Sequence, residues 1–395
     1  MRVVLALDKF KGTLTSQQAN ECLAEGIRQR NPKIEVALRP MADGGDGTAA
    51  ILSTYMGLEA MRVEVPDLYG KPTEAHIYWQ NSRRVAIIES AEILGASHAV
   101  AHRSDTLQAS TTGLGLLIRK AFDLRPSEIW IGVGGTLTVD GGWGLAQVFG
   151  LKAQDQNNKD LQGSLVNAAL INVITRQPLP EYMLKTKIVA LCDVQAPAIG
   201  AGSSTPDGVT LADFLPQKGL AAKEVPEVIQ AIRTFWTHLQ KTNPFIPNLE
   251  SPFTGAGGGL CLGLAAIFPN FSMELGASRI ARVAALAQCT QGAEWVICGE
   301  GCLDRQTLSG KAPMIVSQIA RDHGARVVGV FGRISGDANS LLKELGISQH
   351  FTITGQQLTY ASSELARLSK SRFHDIGFEI AHLVEAAAKK TARAH

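Results

Sequence analysis

The sequence predicts a two-domain α/β protein, in which a parallel-sheet domain carries an inserted second domain of mixed α/β structure. Three observations lead to this prediction. The chain has 395 residues, which is more than one domain usually holds. Both ends of the chain alternate short apolar runs with amphipathic helical patterns, as parallel sheets with crossover helices do. The middle instead contains neighbouring runs in which apolar and polar residues alternate, and this pattern indicates antiparallel strands.

The N-terminal end opens with a strand over residues 3–7, a run of apolar residues that stops at Asp8. A helix is predicted to follow over 15–30, because Thr15 is a good N-cap residue and Gln18 occupies the capping-box position. The next predicted elements are a strand over 35–39, the loop MADGGDGT over 41–48 and a helix over 48–57.

The C-terminal end repeats this alternation. Its predicted elements are a strand over 295–298, a helix over 314–323, a strand over 327–331, a helix over 338–345, a strand over 350–353 and a final helix over 378–392. In the middle, antiparallel strands are predicted over 62–65, 74–79 and 85–90, and further strands over 128–133 and 187–193. The end of each of these strands is a candidate position for functional side chains.

The N-terminal elements alone are too few to close a hydrophobic core, so we expect the two ends of the chain to combine. Residues 1–60 and 290–395 would then form a discontinuous Rossmann/flavodoxin-like domain, and residues 61–289 the inserted mixed α/β domain. The active site is expected in the cleft between them. The alternative is two sequential domains that meet near the loop TNPFIPNLESP, residues 242–252.

Charge and cysteine content argue against several classes of function. The formal net charge is only +2 and no basic run stands out, so nucleic-acid binding is not expected. The apolar run that precedes Asp8 is too short for a signal peptide or a membrane span, which predicts a cytoplasmic protein without membrane contact. The six cysteines form no CxxC pair, which favours a reduced protein with buried thiols.

Five loops combine an apolar strand, glycine and, in most cases, a carboxylate. They are residues 8–12 (DKFKG), 42–48 (ADGGDGT), 134–142 (GGTLTVDGG), 255–259 (GAGGG) and 298–313 (CGEGCLDRQTLSGKAP). Glycine lets backbone N–H groups approach a phosphate, and the start of a following helix adds a favourable dipole. Carboxylates can hold Mg²⁺ or accept a proton from a hydroxyl, and lysines can neutralise a phosphoryl group. Together the loops indicate phosphate chemistry.

The best-known nucleotide fingerprints do not fit these loops. In a Walker A loop, a glycine would stand at Arg305 and a serine or threonine at Ala312. The run GVGGTL has Leu137 where a dinucleotide-binding loop would have its last glycine. The sequence therefore supports neither a P-loop NTPase nor a simple dinucleotide-binding protein.

The chain resembles the bacterial glycerate kinase family of the first type over nearly its whole length. The motifs that carry the resemblance keep their order: LDKFKGTLT (7–15), MADGGDGT (41–48), GVGGTLTVDGG (132–142), LCDV (191–194), PQKG (216–219), GAGGGL (255–260) and GEGCLDRQTLSGKAP (299–313). The resemblance implies a two-domain architecture and ATP- and Mg²⁺-dependent phosphorylation of D-glycerate, usually to 2-phosphoglycerate. Glycerate and ATP are then the expected partners; the oligomeric state is not fixed.

Four positions depart from the family pattern. The family usually has Glu at Asp46 and Asn at Val139, often has Asn at Ala196, and commonly has Arg at Cys302. Asp46 keeps the charge, whereas Val139 and Cys302 lack the polar groups of the family residues. Two alternatives therefore stay open, a kinase for a related small hydroxy acid and an inactive ligand-binding sensor of the same fold.

Position in the chain suggests the roles of individual residues. We predict Asp43, Asp193, Asp304 and Lys9 as catalytic, because the three carboxylates lie near strand ends; one would orient or deprotonate the hydroxyl. Asp193 or Asp304 would also bind Mg²⁺. Residues expected to bind substrate or phosphate are Lys11, Gly44, Gly45, Gly134, Gly135, Thr136, Thr138, Asp140, Gly257, Gly258, Glu300 and Lys311.

Overall fold

A computed structural model describes residues 1–98, 106–200, 208–353 and 362–394. The chain forms two compact units. The terminal unit consists of Met1–Asp43 and Ala277–His395, and the central unit of Gly44–Gly276. Both ends of the chain therefore contribute to one unit, and the middle of the chain forms the other.

The terminal unit is built on one parallel sheet flanked by helices. Its elements are β1 (Arg2–Leu7), α1 (Ser16–Arg30), β2 (Glu35–Leu38), α10 (Gly276–Val283, which begins at the boundary), α11 (Leu286–Thr290), β12 (Trp295–Leu303), α12 (Ala312–Asp322), β13 (Arg326–Ile334), α13 (Ala338–Leu345), β14 (Ile347–Thr352) and α14 (Ser362–Ala394). The strand order is β14-β13-β12-β1-β2, and every neighbouring pair is parallel. The carboxyl ends of β1 and β12 therefore lie side by side at one edge of this sheet.

Local sequence explains how α1 is placed. The Thr15 hydroxyl accepts a hydrogen bond from the backbone N–H of Gln18, and the Gln18 side-chain oxygen accepts one from the N–H of Thr15. The predicted capping box is therefore confirmed. The helix packs against α14 at two glycines. A Cβ at Gly26 would lie 2.0 Å from the carbonyl oxygen of His374, and one at Gly377 would lie 2.3 Å from that of Leu23. Only glycine allows the two backbones to approach this closely.

The central unit contains a mixed sheet and a small antiparallel sheet. Its elements are α2 (Thr48–Met56), β3 (Glu59–Pro66), β4 (Pro72–Gln80), β5 (Val85–Glu89), α3 (Ala91–Leu94), α4 (Thr112–Ala121), β6 (Glu128–Gly132), α5 (Trp143–Val148), β7 (Leu151–Gln154), β8 (Asp160–Leu161), β9 (Val173–Arg176), α6 (Glu181–Lys185), β10 (Lys187–Cys192), α7 (Leu211–Phe214), α8 (Val225–Thr242), α9 (Ala256–Ile267) and β11 (Phe271–Leu275). The large sheet has the order β11-β10-β6-β5-β4-β3, and the small one β8-β7-β9.

Aromatic side chains fill the core of the central unit. Phe268 packs against both Phe122 and Phe149, with ring centroids 5.8 Å and 4.9 Å away. Trp143 stacks on Phe235 of α8 at 5.0 Å, so that α5 and α8 are held together through their rings. This packing fixes the start of α5, which follows directly on the glycine-rich turn at 134–142.

The structure confirms the two-domain α/β class and changes several details. The unit boundaries fall at residues 43/44 and 276/277 rather than at 60/61 and 289/290, because α2 packs on β4 and β5 of the central unit. Strand β5 is antiparallel to β4 as expected, but it is parallel to β6. No helix in the described part of the chain is long and apolar enough to cross a membrane.

Candidate functional site

Three carboxylates gather at the carboxyl edge of the terminal sheet. Asp8 follows β1 directly, and its N–H donates to the carbonyl oxygen of Gly299 in β12 (2.9 Å). Glu300 is the next residue of β12, and Asp43 stands on the segment that continues β2. Two of the four residues predicted as catalytic come together here, because the Lys9 amine lies 3.6 Å from the Asp43 carboxylate. Parallel strand pairing therefore assembles residues that are distant in sequence.

Burial sets the protonation of this cluster. Asp8 is 3 % exposed, and burial raises its pKa to about 7, with Asp43 and Glu300 adding to the rise and Lys9 opposing it. Burial likewise raises the pKa of Glu300 to about 7, against the opposing effect of the Lys311 ammonium. Groups that titrate near neutrality in a charged cluster are typical of sites that transfer protons.

Asp304 and Glu300 are both held by the turn that follows β12. Asp304 caps the 3₁₀ turn Arg305–Ser309, and its Oδ1 accepts from the N–H of Gln306 (2.9 Å). The Thr307 hydroxyl donates to Oε1 of Glu300 at 2.6 Å. The turn therefore fixes the side chain of Glu300. One oxygen of Asp304, Oδ1, is already engaged in capping the turn.

We expect Thr307→Val to destabilise the protein by about 1–3 kcal/mol, because it leaves a buried carboxylate without its donor. The loss should be larger at pH 8 than at pH 5, since Glu300 titrates at about pH 7 and the bond is strongest to the ionised form. Urea denaturation at both pH values measures it. Thr237→Val is the control, because that hydroxyl only bonds the carbonyl of Arg233 on an exposed helix face; equal losses in the two variants would contradict the prediction.

Lys11 and Lys311 occupy different environments in the terminal unit. Lys11 is exposed in the turn after β1, whereas Lys311 is half-buried at the N-cap of α12 and acts on the charge of Glu300. Lys311 is thus part of the carboxylate cluster. Lys11 has the exposure that a ligand-binding lysine needs.

In the central unit, Asp193 follows β10 and lies against the turn at Gly134. A Cβ at Gly134 would lie 2.8 Å from Oδ2 of Asp193 and 2.8 Å from the Cα of Gly45. The N–H of Gly134 already donates to the carbonyl of Gly44 (3.1 Å), whereas Gly135 is exposed with a φ of +78°. The exposed backbone of this turn is therefore at Gly135, and Gly134 packs against Asp193.

The three polar residues that follow in this turn are buried. Asp140 is 1 % exposed and accepts four hydrogen bonds, from the backbone and hydroxyl of Thr111 and from the N–H groups of Gly142 and Gly144. These bonds tie together the starts of α4 and α5, so they explain Asp140 as a structural residue. The buried hydroxyl of Thr138 has no hydrogen-bond partner among the described residues. The hydroxyl of Thr136, in contrast, accepts a hydrogen bond from Nζ of Lys218.

Glycines 257–259 take left-handed backbone conformations at the start of α9, with φ of +60°, +73° and +82°. A Cβ at Gly258 would lie 1.9 Å from the carbonyl oxygen of Thr138, and the Gly258 carbonyl accepts from the N–H of Gly141 (3.2 Å). Close packing on the 134–142 turn therefore explains glycine at 258. Phosphate binding by Gly257 and Gly258 stays a prediction.

Gly258→Ala should destabilise the protein more than Gly57→Ala. Both glycines have positive φ, so alanine costs about 1–2 kcal/mol of backbone strain at either position. Gly57 faces open space, whereas alanine at 258 must displace Thr138, which adds about 1–3 kcal/mol of overpacking. Urea midpoints of the two variants test this; equal midpoints would show that the turn yields without cost.

Two of the four positions that depart from the family pattern, Val139 and Ala196, are buried. Val139 and Ala196 are 1 % and 2 % exposed, and Val139 belongs to the hydrophobic core of the central unit. Cys302 is half-buried in β12, next to Arg333 in the register with β13. A guanidinium is therefore present beside Cys302, on the neighbouring strand.

Asp8 and Lys218 stand out in the structure, although neither was among the predicted site residues. Asp8 carried a signal, since a charged residue directly after the buried run of β1 is unusual. Lys218 lies in PQKG, one of the motifs that carry the family resemblance. That motif reads as an exposed turn, yet the side chain is buried against Thr136 and Thr138. No group of three or more His, Cys, Asp or Glu side chains in the described ranges is arranged to hold a metal ion. Carboxylates such as Asp193 and Asp304 supply the hard oxygen donors that Mg²⁺ prefers, and phosphates and water usually complete its shell.

Known proteins that are similar to this chain point to its family. A model of the glycerate kinase family matches residues 3–384. The glycerate kinase of Neisseria meningitidis is 34% identical over 86% of this chain and 88% of its own length. The glycerate 2-kinase of Escherichia coli is 27% identical over 89% and 90%. The crystal structure of a protein from Salmonella typhimurium LT2 superposes with a TM-score of 0.78 over 98% of this chain and 99% of its own, at 25% identity. The chain is therefore an enzyme of the glycerate kinase family.

Proposed function

We propose that the protein transfers the γ-phosphoryl group of ATP to the 2-hydroxyl of D-glycerate and releases ADP and 2-phosphoglycerate. The observation that carries the proposal is the cluster of Asp8, Asp43 and Glu300 with Lys9 beside it, at the carboxyl edge of a parallel sheet. Kinship supports the choice of product, since the relative from E. coli is named a glycerate 2-kinase. The six free cysteines are consistent with action in the cytoplasm, where thiols stay reduced.

In this proposal Asp43 orients the substrate hydroxyl and accepts its proton. The ammonium of Lys9 lies 3.6 Å from this carboxylate, at the carboxyl edge of the sheet. As the proton leaves, the hydroxyl oxygen bonds to the γ-phosphorus, and the bond from that phosphorus to the bridging oxygen of ADP breaks. The protein contributes mainly position and charge, as in other phosphoryl transfers.

The remaining charged residues complement the negative charge of the reactants. We assign Lys9, Lys11 and Lys311 to neutralising carboxylate or phosphate oxygens, and the exposed backbone at Gly135 to contacting phosphate. Asp193 or Asp304 would hold Mg²⁺, and when bound the ion would neutralise phosphate charge. Thr136, Thr138 and Asp140 act behind this surface by shaping the turn.

The test is release of ADP by the purified protein with Mg²⁺-ATP and a panel of hydroxy acids, with the position of the product phosphate read by phosphorus NMR. We expect the highest kcat/KM with D-glycerate and a 2-phosphate product. A higher value with another acid would replace the substrate, and a 3-phosphate would replace the product. Binding of D-glycerate without ADP release would leave the sensor interpretation and refute catalysis.

A further inference from the structure

A buried lysine occupies the turn Pro216–Lys218 of the central unit. Lys218 is 9 % exposed, although lysine is among the residues least often buried. Gly219 follows with a φ of +97° and closes the turn, and the carbonyl of Lys218 accepts from the Thr106 hydroxyl at 3.0 Å. Backbone and side chain of Lys218 are thus both fixed by neighbours.

The Lys218 amine binds the turn that leads from Gly134 to Asp140. Its Nζ donates to the carbonyl oxygens of Thr136 (2.5 Å) and Thr138 (3.2 Å) and lies 3.3 Å from the Thr136 hydroxyl. Three acceptors match the three N–H donors of an ammonium group. The lysine therefore bridges both sides of a turn whose contacts include the carboxylate of Asp193 and the glycines of α9.

Burial of the Lys218 ammonium has a cost in free energy. Burial lowers the pKa of Lys218 to about 8, and the nearby carboxylates of Asp193 and Asp140 favour the charged form. An ammonium that must be desolvated costs free energy, and apolar residues of similar size often replace buried charges without loss of stability. Buried groups with perturbed pKa values cluster at functional sites.

We propose that Lys218 is a positioning residue. Its ammonium clamps the Gly134–Thr138 turn and places a positive charge near Asp193, so that the turn and Asp193 present a fixed geometry to the reactants. The inference rests on the proposed function, because it assigns Asp193 and Gly135 to that site. Lys218 acts through these residues: its own donors are already committed to the protein.

The first arm of the test does not require activity. Hydrogen–deuterium exchange of a peptide that covers residues 133–141 should be faster in Lys218→Met than in the wild type, because the clamp on two carbonyls is lost. Lys223→Met is the matched control, since Lys223 is exposed on the next turn. Unchanged exchange in Lys218→Met would overturn the clamp.

The second arm follows kcat and kcat/KM for the wild type and both variants from pH 6.5 to 9.5. Lys218→Met should lower kcat/KM by about 10²-fold at pH 7. The wild type should lose kcat/KM above pH 8 as the ammonium deprotonates, and Lys218→Met should lack this limb. Wild-type kinetics in Lys218→Met, or an alkaline limb that persists in it, would overturn the proposal. An inactive wild type would instead refute the proposed function.

Thermal denaturation separates this role from a merely structural one. The unfolded lysine binds its proton up to a pKa near 10.5, whereas the folded one releases it near 8, so its contribution to stability rises with pH between these values. Activity and this contribution therefore move in opposite directions above pH 8. Unfolding of the wild type over the range in which kcat/KM falls would overturn the assignment of the limb to Lys218.

Discussion

Asp43→Asn and Asp193→Asn are each expected to lower kcat by a factor of about 10²–10⁴. This is the usual contribution of a positioned general acid or base to the rate. Asp304→Asn is expected to cost less than either. Its Oδ1 already caps the turn at Arg305–Ser309, and asparagine is an equally good N-cap. The N-cap contact of Asp304 thus leads to an expected ranking that position in the sequence alone does not give.

Steady-state kinetics and thermal denaturation of the three variants test this ranking. Asp43→Asn should keep or gain stability, because it removes a like charge that raises the pKa of both Asp8 and Glu300. Loss of turnover in a stable protein would identify a functional role. Asp375→Asn, on an exposed face of α14, is the control for the change itself. Near-wild-type turnover in all three variants would refute the assignment, and Asp304→Asn as the most damaging one would refute the ranking.

Strand periodicity located most of the sheet, but it could not find where glycines continue a strand. The expected strand over 295–298 extends to Leu303, so that Glu300 lies within β12 rather than in a loop. A Cβ at Gly299 would lie 1.8 Å from the carbonyl oxygen of Val330, so glycine is needed there for β12 and β13 to pair. A pattern that treats glycine as a strand end misses this requirement, which depends on the neighbouring strand.

Helix α14 shows a similar limit. The apolar pattern predicted it from residue 378, whereas it begins at Ser362. The segment before 378 is mostly polar, and its Phe373 packs edge-on against Phe10 at 4.7 Å. Tertiary contact with α1 and the β1 loop therefore selects the helix, and no local pattern reports such a partner.

Pairing between distant strands also decided which site residues could be found. Asp43 and Lys9 were predicted separately from their loops, but only the parallel pairing of β1 with β2 shows that they form an ion pair. Lys218 is the opposite case. Lysine in a Pro- and Gly-containing turn is normally solvated, and its burial depends on the fold of a turn 80 residues earlier in the chain.

Asp8→Asn is expected to raise stability at pH 8 and to have little effect near pH 4. The unfolded Asp8 carboxyl loses its proton near pH 3.8, whereas the folded one holds it to about pH 7. Between these values the native state binds more protons, so the free energy of unfolding of the wild type falls as the pH rises. Each unit of pKa is worth about 1.4 kcal/mol, so the advantage of the variant should grow to a few kcal/mol by pH 8.

Asparagine should preserve the local fold at this position, because its side-chain oxygen can still accept from the N–H of Lys9, as Oδ1 of Asp8 does at 2.6 Å. Urea denaturation of both proteins at pH 4, 6 and 8 measures the difference. A constant difference across this range would show that Asp8 does not titrate near neutrality in the folded protein.

The same variant should shift the pH dependence of catalysis. Removing the charge of Asp8 removes a like charge near Glu300, so Glu300 should ionise at lower pH. If proton acceptance by Asp43 requires an ionised cluster, the acid limb of kcat/KM moves to lower pH in Asp8→Asn. An acid limb that stays in place or moves upward would separate the cluster from the proton transfer and leave Asp8 as a buried structural carboxyl.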